Sequence, residues 1–167
     1  SNIQIGAQDC HINSNYGPFT GAISSKMIKD LGAKFVIIGH SETREENDNK
    51  KINLKIKSAL NEKLNVIFCI GEKLIDKKKN RTKLVLKQQL LEGLKNLNKL
   101  SKIIIAYEPV WSIGTGIIPS ENDLKKNIKF IKDTLKRSIK FPKSKVLYGG
   151  SVNPKNIKNL MRIDNID

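Results

Sequence analysis

The sequence predicts an α/β fold built on a parallel sheet, from three observations: repeated apolar runs, their regular spacing, and helical segments between them. The five apolar runs cover residues 3–7, 35–39, 66–71, 103–107 and 146–150, and their starts lie 31 to 43 residues apart. Each run is continuous and does not alternate with polar residues. Continuous runs are typical of strands that are buried on both faces, as in a parallel sheet.

The segments between the runs predict the helices that connect the strands. Apolar residues spaced three and four apart form one face of a helix. The predicted faces are Ile23, Met27, Ile28 and Leu31 before Gly32; Ile52, Ile56, Ala59 and Leu60; Leu90, Leu94 and Leu97; and Leu124, Ile128, Ile131 and Leu135. Strand and helix alternate without a linker, which predicts a single domain over residues 1–167.

Two architectures fit this alternation, an open doubly wound sheet and a closed (β/α) barrel. The open sheet usually carries a GxGxxG turn after its first strand. Here residues 6–21 read "GAQDCHINSNYGPFTG", a long loop without that fingerprint. Periodicity by itself leaves both architectures open.

The charge of the chain raises the possibility of a nucleic-acid partner. There are 31 lysine and arginine residues against 16 acidic ones, a formal net charge of +15. The lysines are spread along the helical segments and are not interleaved with aromatic residues, which favours a solvated basic surface and no specific nucleic-acid partner. A non-catalytic protein that binds nucleic acid remains the alternative from another class. Since no apolar run reaches the ~18 residues of a membrane helix, no membrane partner is expected.

Cysteine usage favours a reducing compartment. Cys10 and Cys69 lie far apart, and neither belongs to a CxxC motif or to a Cys/His ligand spacing. We therefore expect reduced thiols in a cytoplasmic protein, no disulfide and no structural zinc. No other metal and no cofactor are expected. Cys69 lies in the run "VIFCI", which predicts a small core residue.

The residues that follow the runs indicate chemistry at one rim of the sheet. Ligands of parallel α/β folds bind at the carboxyl ends of the strands. Those positions hold His40, Glu72, Glu108 and, at residues 149–151, a Gly-Gly-Ser turn. An imidazole, carboxylates and a glycine turn together are suited to proton transfer beside an anion.

Glu108 is the first candidate for catalysis. Pro109 restricts the residue before it to extended geometry, which fixes the direction of the Glu108 side chain and favours a catalytic base over a solvent-facing carboxylate. Gly114 and Gly116 then lie between Pro109 and Pro119, which predicts a flexible loop with stiff ends that closes over the site as a lid.

His40 is the second candidate, because it ends a strand and precedes a predicted helix start with Ser41 or Thr43 as cap. The positive end of a helix disfavours the imidazolium, and a neutral ring can donate a hydrogen bond to a carbonyl oxygen. Residues 148–154, "YGGSVNP", predict a strand that leads through two glycines to backbone N–H groups able to bind phosphate.

Five motifs in order, "GPFTG", "IIGHSETRE", "FCIGE", "AYEPVWSIGTG" and "YGGSVNP", resemble the triosephosphate isomerase family. The resemblance spans the whole chain and implies an eight-fold (β/α) TIM barrel, of which about five consecutive βα units are present. It also implies an enzyme of glycolysis and gluconeogenesis that interconverts dihydroxyacetone phosphate and glyceraldehyde 3-phosphate through an enediolate. Another phosphate-binding barrel enzyme is the alternative, since fold alone does not fix function.

The resemblance assigns roles residue by residue. Glu108 would be the base, His40 would polarise the carbonyl, and Glu42 matches the second acidic residue of the family in this region. Gly114 and Ser151 would offer backbone N–H groups to the phosphate.

Further matches concern the lid and the subunit contact. Trp111 and Glu72 match a pair that contact each other when the lid is open, and Tyr148 and Ser151 match the residues that latch it shut. The loop at residues 9–21, with Thr20, matches one that reaches into a partner subunit and implies a homodimer. Ala22 and Thr43 replace an acidic residue and an arginine of the family; a rim ion pair contributes about 0–1 kcal/mol, so we expect the dimer to persist.

The resemblance also implies two βα units before Ser1 and a last strand after Asp167. These would hold an asparagine, a lysine and a glycine pair of the substrate site. Losing one preorganised donor reduces the rate by roughly 10²–10³, so we expect the segment alone to be inactive.

Overall fold

A computed structural model describes residues 3–167; the first two residues of the predicted domain lie outside the described residues. The described chain forms a parallel sheet of five strands in the order β1-β2-β3-β4-β5. The strands are β1 (Gly6–Ala7), β2 (Phe35–Ile38), β3 (Asn65–Ile70), β4 (Ile103–Tyr107) and β5 (Val146–Tyr148). The spatial order of the described strands follows their order in the chain without reversal. They therefore lack the switch point of a doubly wound sheet and correspond to consecutive strands of a barrel. The predicted α/β class is confirmed.

The helices lie between the strands in the predicted order, with one addition, but Leu97 of the third predicted face lies beyond the end of its helix. They are α1 (Ser25–Asp30), α2 (Asn49–Asn61), α3 (Leu74–Lys78), α4 (Thr82–Gly93), α5 (Glu121–Arg137) and α6 (Ile157–Leu160). The segment after β3 divides into α3 and α4 because Asn80 adopts a left-handed φ of 56°, a conformation that asparagine tolerates.

The core lies between the sheet and helices α2, α4 and α5. Ile52 and Ile56 of α2 and Ile128 of α5 are fully buried, as the helical periodicity predicts. Two of these helices begin at side-chain caps: Asp48 accepts a hydrogen bond from the backbone N–H of Lys51, and Ser120 from that of Asp123. These long helices hold the strands β3 and β4, whose carboxyl ends carry the site.

The first βα unit differs from the prediction. Strand β1 is two residues long, and Ile3 and Ile5 are 81% and 70% exposed, so the expectation of burial on both faces is wrong for this run. The predicted face of the first helix is also wrong at its ends, because α1 spans only Ser25–Asp30 and leaves Ile23 and Leu31 exposed. These residues are exposed because β1 is an edge strand of the described sheet, where it pairs only with β2, and because the short α1 covers little of β1.

None of the described helices combines the length and apolarity that a membrane crossing requires.

Candidate active site

Glu108 lies directly after β4, in a space that two glycines leave for it. Its backbone N–H donates to the carbonyl of Ile70 at 2.8 Å, which extends the pairing between β3 and β4 by one residue. A Cβ atom at Gly71 would lie 1.8 Å from the Glu108 carbonyl oxygen, and one at Gly149 would lie 2.6 Å from Glu108 Cγ. The ends of β3 and β5 therefore admit the glutamate only because both positions are glycine.

The Glu108 carboxylate is buried and incompletely paired. The residue is 8% exposed, and Oε1 accepts a hydrogen bond from the Cys69 thiol at 3.0 Å. Oε2 is buried without a hydrogen-bond partner among the described residues. Burial raises the pKa of Glu108, and the Cys69 hydrogen bond, His40 and Arg44 oppose that rise. A carboxylate in this environment holds a proton more readily than an exposed one, which suits a general base.

His40 faces this carboxylate, with Nε2 3.9 Å from Glu108 Oε2. Its Nδ1 accepts a hydrogen bond from the backbone N–H of Glu42 at 3.4 Å. Because Nδ1 is the acceptor, the proton of the neutral ring belongs on Nε2, on the side of Glu108. The predicted caps are wrong: the His40 ring itself caps the 3₁₀ turn Ser41–Thr43, and the following α-helix begins only at Asn49.

Glu42 and Glu72 occupy different surroundings. The Glu42 side chain is 84% exposed and its Oε2 lies 3.8 Å from His40 Nδ1, so it reaches the ring from the solvent side. Glu72 is 1% exposed; its Oε1 accepts a hydrogen bond from Trp111 Nε1 at 2.9 Å, and its Oε2 accepts one from the Tyr107 hydroxyl at 3.2 Å. The predicted contact between Trp111 and Glu72 is therefore present.

Comparison with known proteins identifies the family. The family model described as triosephosphate isomerase matches residues 1–167. Two curated relatives with that name, from Thermodesulfovibrio yellowstonii and Mycoplasma mobile, are 44% and 43% identical to the chain. Both alignments cover 100% of the chain and respectively 69% and 67% of the relative. The chain belongs to the triosephosphate isomerase family. Its enzyme class is isomerase, and its sheet is part of a TIM barrel.

The loop that the sequence predicts to be a lid begins with a 3₁₀ turn, Val110–Ser112, and continues through exposed Gly114 and Gly116 with φ values of 67° and 72°. Pro109 caps that turn, as a stiff near end of the loop should. The backbone N–H of Gly116 donates to Ser151 Oγ at 3.2 Å.

The predicted latch residues both contact the start of the lid, at Ser112. The Tyr148 hydroxyl lies 3.2 Å from Ser112 Oγ, and the Ser151 N–H donates to the Ser112 carbonyl at 3.2 Å. The Trp111–Glu72 pair, which is expected for an open lid, is therefore present together with contacts made by Tyr148 and Ser151, the residues expected to hold the lid shut. The Ser151 amide is already paired here, so it can reach a phosphate only if the Ser112 carbonyl moves.

Sequence reasoning missed the parts that two residues beside Glu108 and His40 play. Cys69 is buried as predicted, but its thiol also donates a hydrogen bond to Glu108 Oε1, so the residue does more than fill the core. Arg44 donates to the carbonyls of Gly39 and Cys69 at 2.9 and 2.8 Å, so one guanidinium joins the strand ends that carry His40 and the thiol. Burial lowers the pKa of Arg44 to about 10, which leaves it charged at neutral pH. An arginine in the polar stretch "SETREEN" gave no signal of burial.

The predicted subunit loop lies on the surface, with Thr20 exposed. Its base is anchored: the His11 N–H donates to the Ile23 carbonyl at 2.8 Å, and Lys55 forms an ion pair with Asp9 at 2.5 Å. The loop is therefore held against the body of the protein at its start and end.

Proposed function

We propose that this chain provides the proton-transfer residues of a triosephosphate isomerase that interconverts dihydroxyacetone phosphate and glyceraldehyde 3-phosphate. Glu108 takes the proton from the carbon next to the substrate carbonyl and returns it to the neighbouring carbon. His40 donates from Nε2 to the oxygens of the enediolate and remains neutral. These are the roles known for the glutamate and neutral histidine of this enzyme.

The observation that carries the proposal is the buried Oε2 of Glu108, which has no hydrogen-bond partner among the described residues and faces Nε2 of His40. A buried polar oxygen without a partner is unfavourable unless something at the site uses it. The space between Oε2 and the imidazole N–H suits a carbon acid whose proton Glu108 takes and whose oxygen His40 binds. Desolvation strengthens both interactions.

The remaining residues act on the phosphate and the lid. We assign backbone N–H groups of Gly114 and Ser151 to the phosphate, and Glu42 to a supporting position beside the His40 ring. Pro109, Trp111 and Gly116 belong to the lid, with Glu72 holding Trp111, and Tyr148 and Ser151 acting on the loop as its latch. Closure excludes water from the enediolate.

The wider setting follows from the family. We propose that residues 1–167 belong to one barrel domain of a cytoplasmic homodimer, with Thr20 near the partner's site. The proposal includes no cofactor, no metal, no membrane contact and no specific nucleic-acid partner.

The deciding experiment uses the full-length enzyme. Dihydroxyacetone phosphate is incubated with the enzyme in D₂O and followed by NMR. We expect interconversion with deuterium entering at the carbon next to the carbonyl. Absence of both signals from a folded enzyme would falsify the proposal, and duplex DNA binding that weakens steeply with salt would favour the nucleic-acid alternative.

The segment itself allows a separate measurement. Titration with 2-phosphoglycolate, which resembles the enediolate, should give weak binding and the isomerase assay no turnover. Tight binding would show that the described strands supply most of the site without the expected additional units.

A further inference from the structure

Lys77 stacks on Trp111 at the start of the lid. Its Nζ lies 3.8 Å from the centroid of the indole ring, within the range of a cation–π interaction. The indole N–H simultaneously donates to Glu72. The ring is therefore held at its edge by a carboxylate and on its face by an ammonium group.

Lys77 is in turn positioned by Asp123, whose Oδ2 lies 3.7 Å from its Nζ. Asp123 belongs to the first turn of α5, and its backbone N–H donates to the side chain of Ser120, the residue after Pro119. The ammonium group thus contacts residues on both sides of the lid, Trp111 near its start and Asp123 just beyond its end. Glu72, Lys77, Trp111 and Asp123 all line one surface cavity of about 370 Å³.

We propose that Lys77 is a positioning residue that holds Trp111 in the orientation seen here and thereby opposes lid closure. The inference rests on the proposed function of residues 109–119 as a lid. If closing turns Trp111 away from Glu72, as the family resemblance implies, the indole also leaves Lys77. The loss of this contact then adds to the free energy that substrate binding must supply to close the lid.

Lys83 provides a matched control from the same cavity. It belongs to α4, and its Nζ lies 5.7 Å from the Phe130 ring centroid, so it has a similar charge and setting without touching the lid. An effect of general charge would appear in Lys83→Met as well as in Lys77→Met. An effect of the stacked contact would appear only in Lys77→Met.

The contact is tested by fluorescence, because Trp111 is the only tryptophan in the sequence. Removing the ammonium group should make the indole more accessible to acrylamide and reduce iodide quenching relative to caesium quenching. Lys77→Arg should retain the parent behaviour, since a guanidinium also stacks on an aromatic face. Lys83→Met should leave the Trp111 emission, its quenching by acrylamide and the ratio of iodide to caesium quenching unchanged.

The role in closure is tested by the affinity of the full-length enzyme for 2-phosphoglycolate, which favours the closed lid. Lys77→Met should bind it about two- to five-fold more tightly, the factor that corresponds to a partly exposed cation–π contact. Asp123→Asn should shift the affinity in the same direction by less, and Lys77→Arg should restore the parent value.

The outcomes separate the two proposals. Equal binding of 2-phosphoglycolate by the parent and Lys77→Met would overturn the role of Lys77, as would unchanged quenching in that variant. Failure of the folded parent enzyme to bind 2-phosphoglycolate or turn over triose phosphate would instead count against the proposed function. A parallel change in Lys83→Met would assign the effect to surface charge and overturn the proposal.

Discussion

Two glutamates end neighbouring strands of this molecule, and their surroundings differ. Glu72 follows β3 and Glu108 follows β4; they are 1% and 8% exposed, and burial raises the pKa of both. Both oxygens of Glu72 are within hydrogen-bond reach of protein donors, whereas Glu108 has a thiol on one oxygen and no partner among the described residues on the other. A fully paired buried carboxylate such as Glu72 stabilises the structure, whereas Oε2 of Glu108 faces His40 Nε2 and can still take up a further partner.

The pairing of Glu72 extends beyond its immediate neighbours. The Tyr107 hydroxyl that donates to it accepts a hydrogen bond from Asn127 of α5 at 2.8 Å. Glu72 therefore belongs to a connected polar network between β3, β4 and α5, which stabilises the position of the Trp111 indole. No such network surrounds Oε2 of Glu108 in the part of the chain that is described, and His40 Nε2 lies 3.9 Å from that oxygen.

The largest expected effect separates the two carboxylates by turnover. Glu108→Gln in the full-length enzyme should reduce kcat by about 10²–10⁴, the contribution of a general base. Glu72→Gln should reduce it much less, because Glu72 touches the lid and not the reacting atoms. Steady-state kinetics with glyceraldehyde 3-phosphate as substrate measures kcat for both variants. Comparable losses in the two variants would remove the distinction between them.

The second effect displaces Glu108 without changing its chemistry. In Gly149→Ala the new Cβ would lie 2.6 Å from Glu108 Cγ and 2.9 Å from Oε1, so the carboxylate must move. A shift of about 1 Å typically lowers the rate about 10²-fold. Gly32→Ala is the control, since Gly32 has a strained φ of 88° but no heavy atom within 4 Å of its Cβ position. It should lower the melting temperature and leave kcat unchanged, whereas Gly149→Ala should lower kcat.

The third effect is on stability and its dependence on pH. Because folding raises the pKa of Glu108, the native state binds more protons than the unfolded state above the ordinary glutamate value, and stability falls as pH rises through that window. Glu108→Gln removes this loss and should increase the free energy of unfolding by about 1–3 kcal/mol at pH 7. The gain should disappear at pH values well below the ordinary glutamate pKa, where the carboxyl is protonated in both states.

Glu72→Gln is the matched variant in the same denaturation experiment. Its amide NH₂ would face the Trp111 N–H or the Tyr107 hydroxyl, which are donors, so it should show no comparable gain at pH 7. If both variants were stabilised equally, the number of hydrogen-bond partners would not be what distinguishes these carboxylates.

The sequence predicts the positions of Glu108 and His40 better than their surroundings. Each residue directly follows an apolar run, and the point where an apolar run stops at a polar residue can be read from the sequence without knowing the fold. The Cys69 thiol and the Arg44 guanidinium contact the site across neighbouring strands, and such contacts depend on strand register. The exposed Ile3 and Leu31 were missed for a related reason: periodicity shows that residues are apolar but does not show whether another element covers them.

The smallest effect tests the missed contact with Cys69. Its hydrogen bond lowers the pKa of Glu108, so Cys69→Ala should raise that pKa further and move the acidic limb of the kcat/KM profile to higher pH. Loss of one hydrogen bond corresponds to about a two- to tenfold lower rate on that limb. Cys69→Ser keeps a donor and should retain the limb. Cys10→Ala removes the other buried thiol, which donates to the Lys55 carbonyl, and should leave the profile unchanged. A shift in Cys10→Ala equal to that in Cys69→Ala would indicate a general packing effect and not a hydrogen bond to the base.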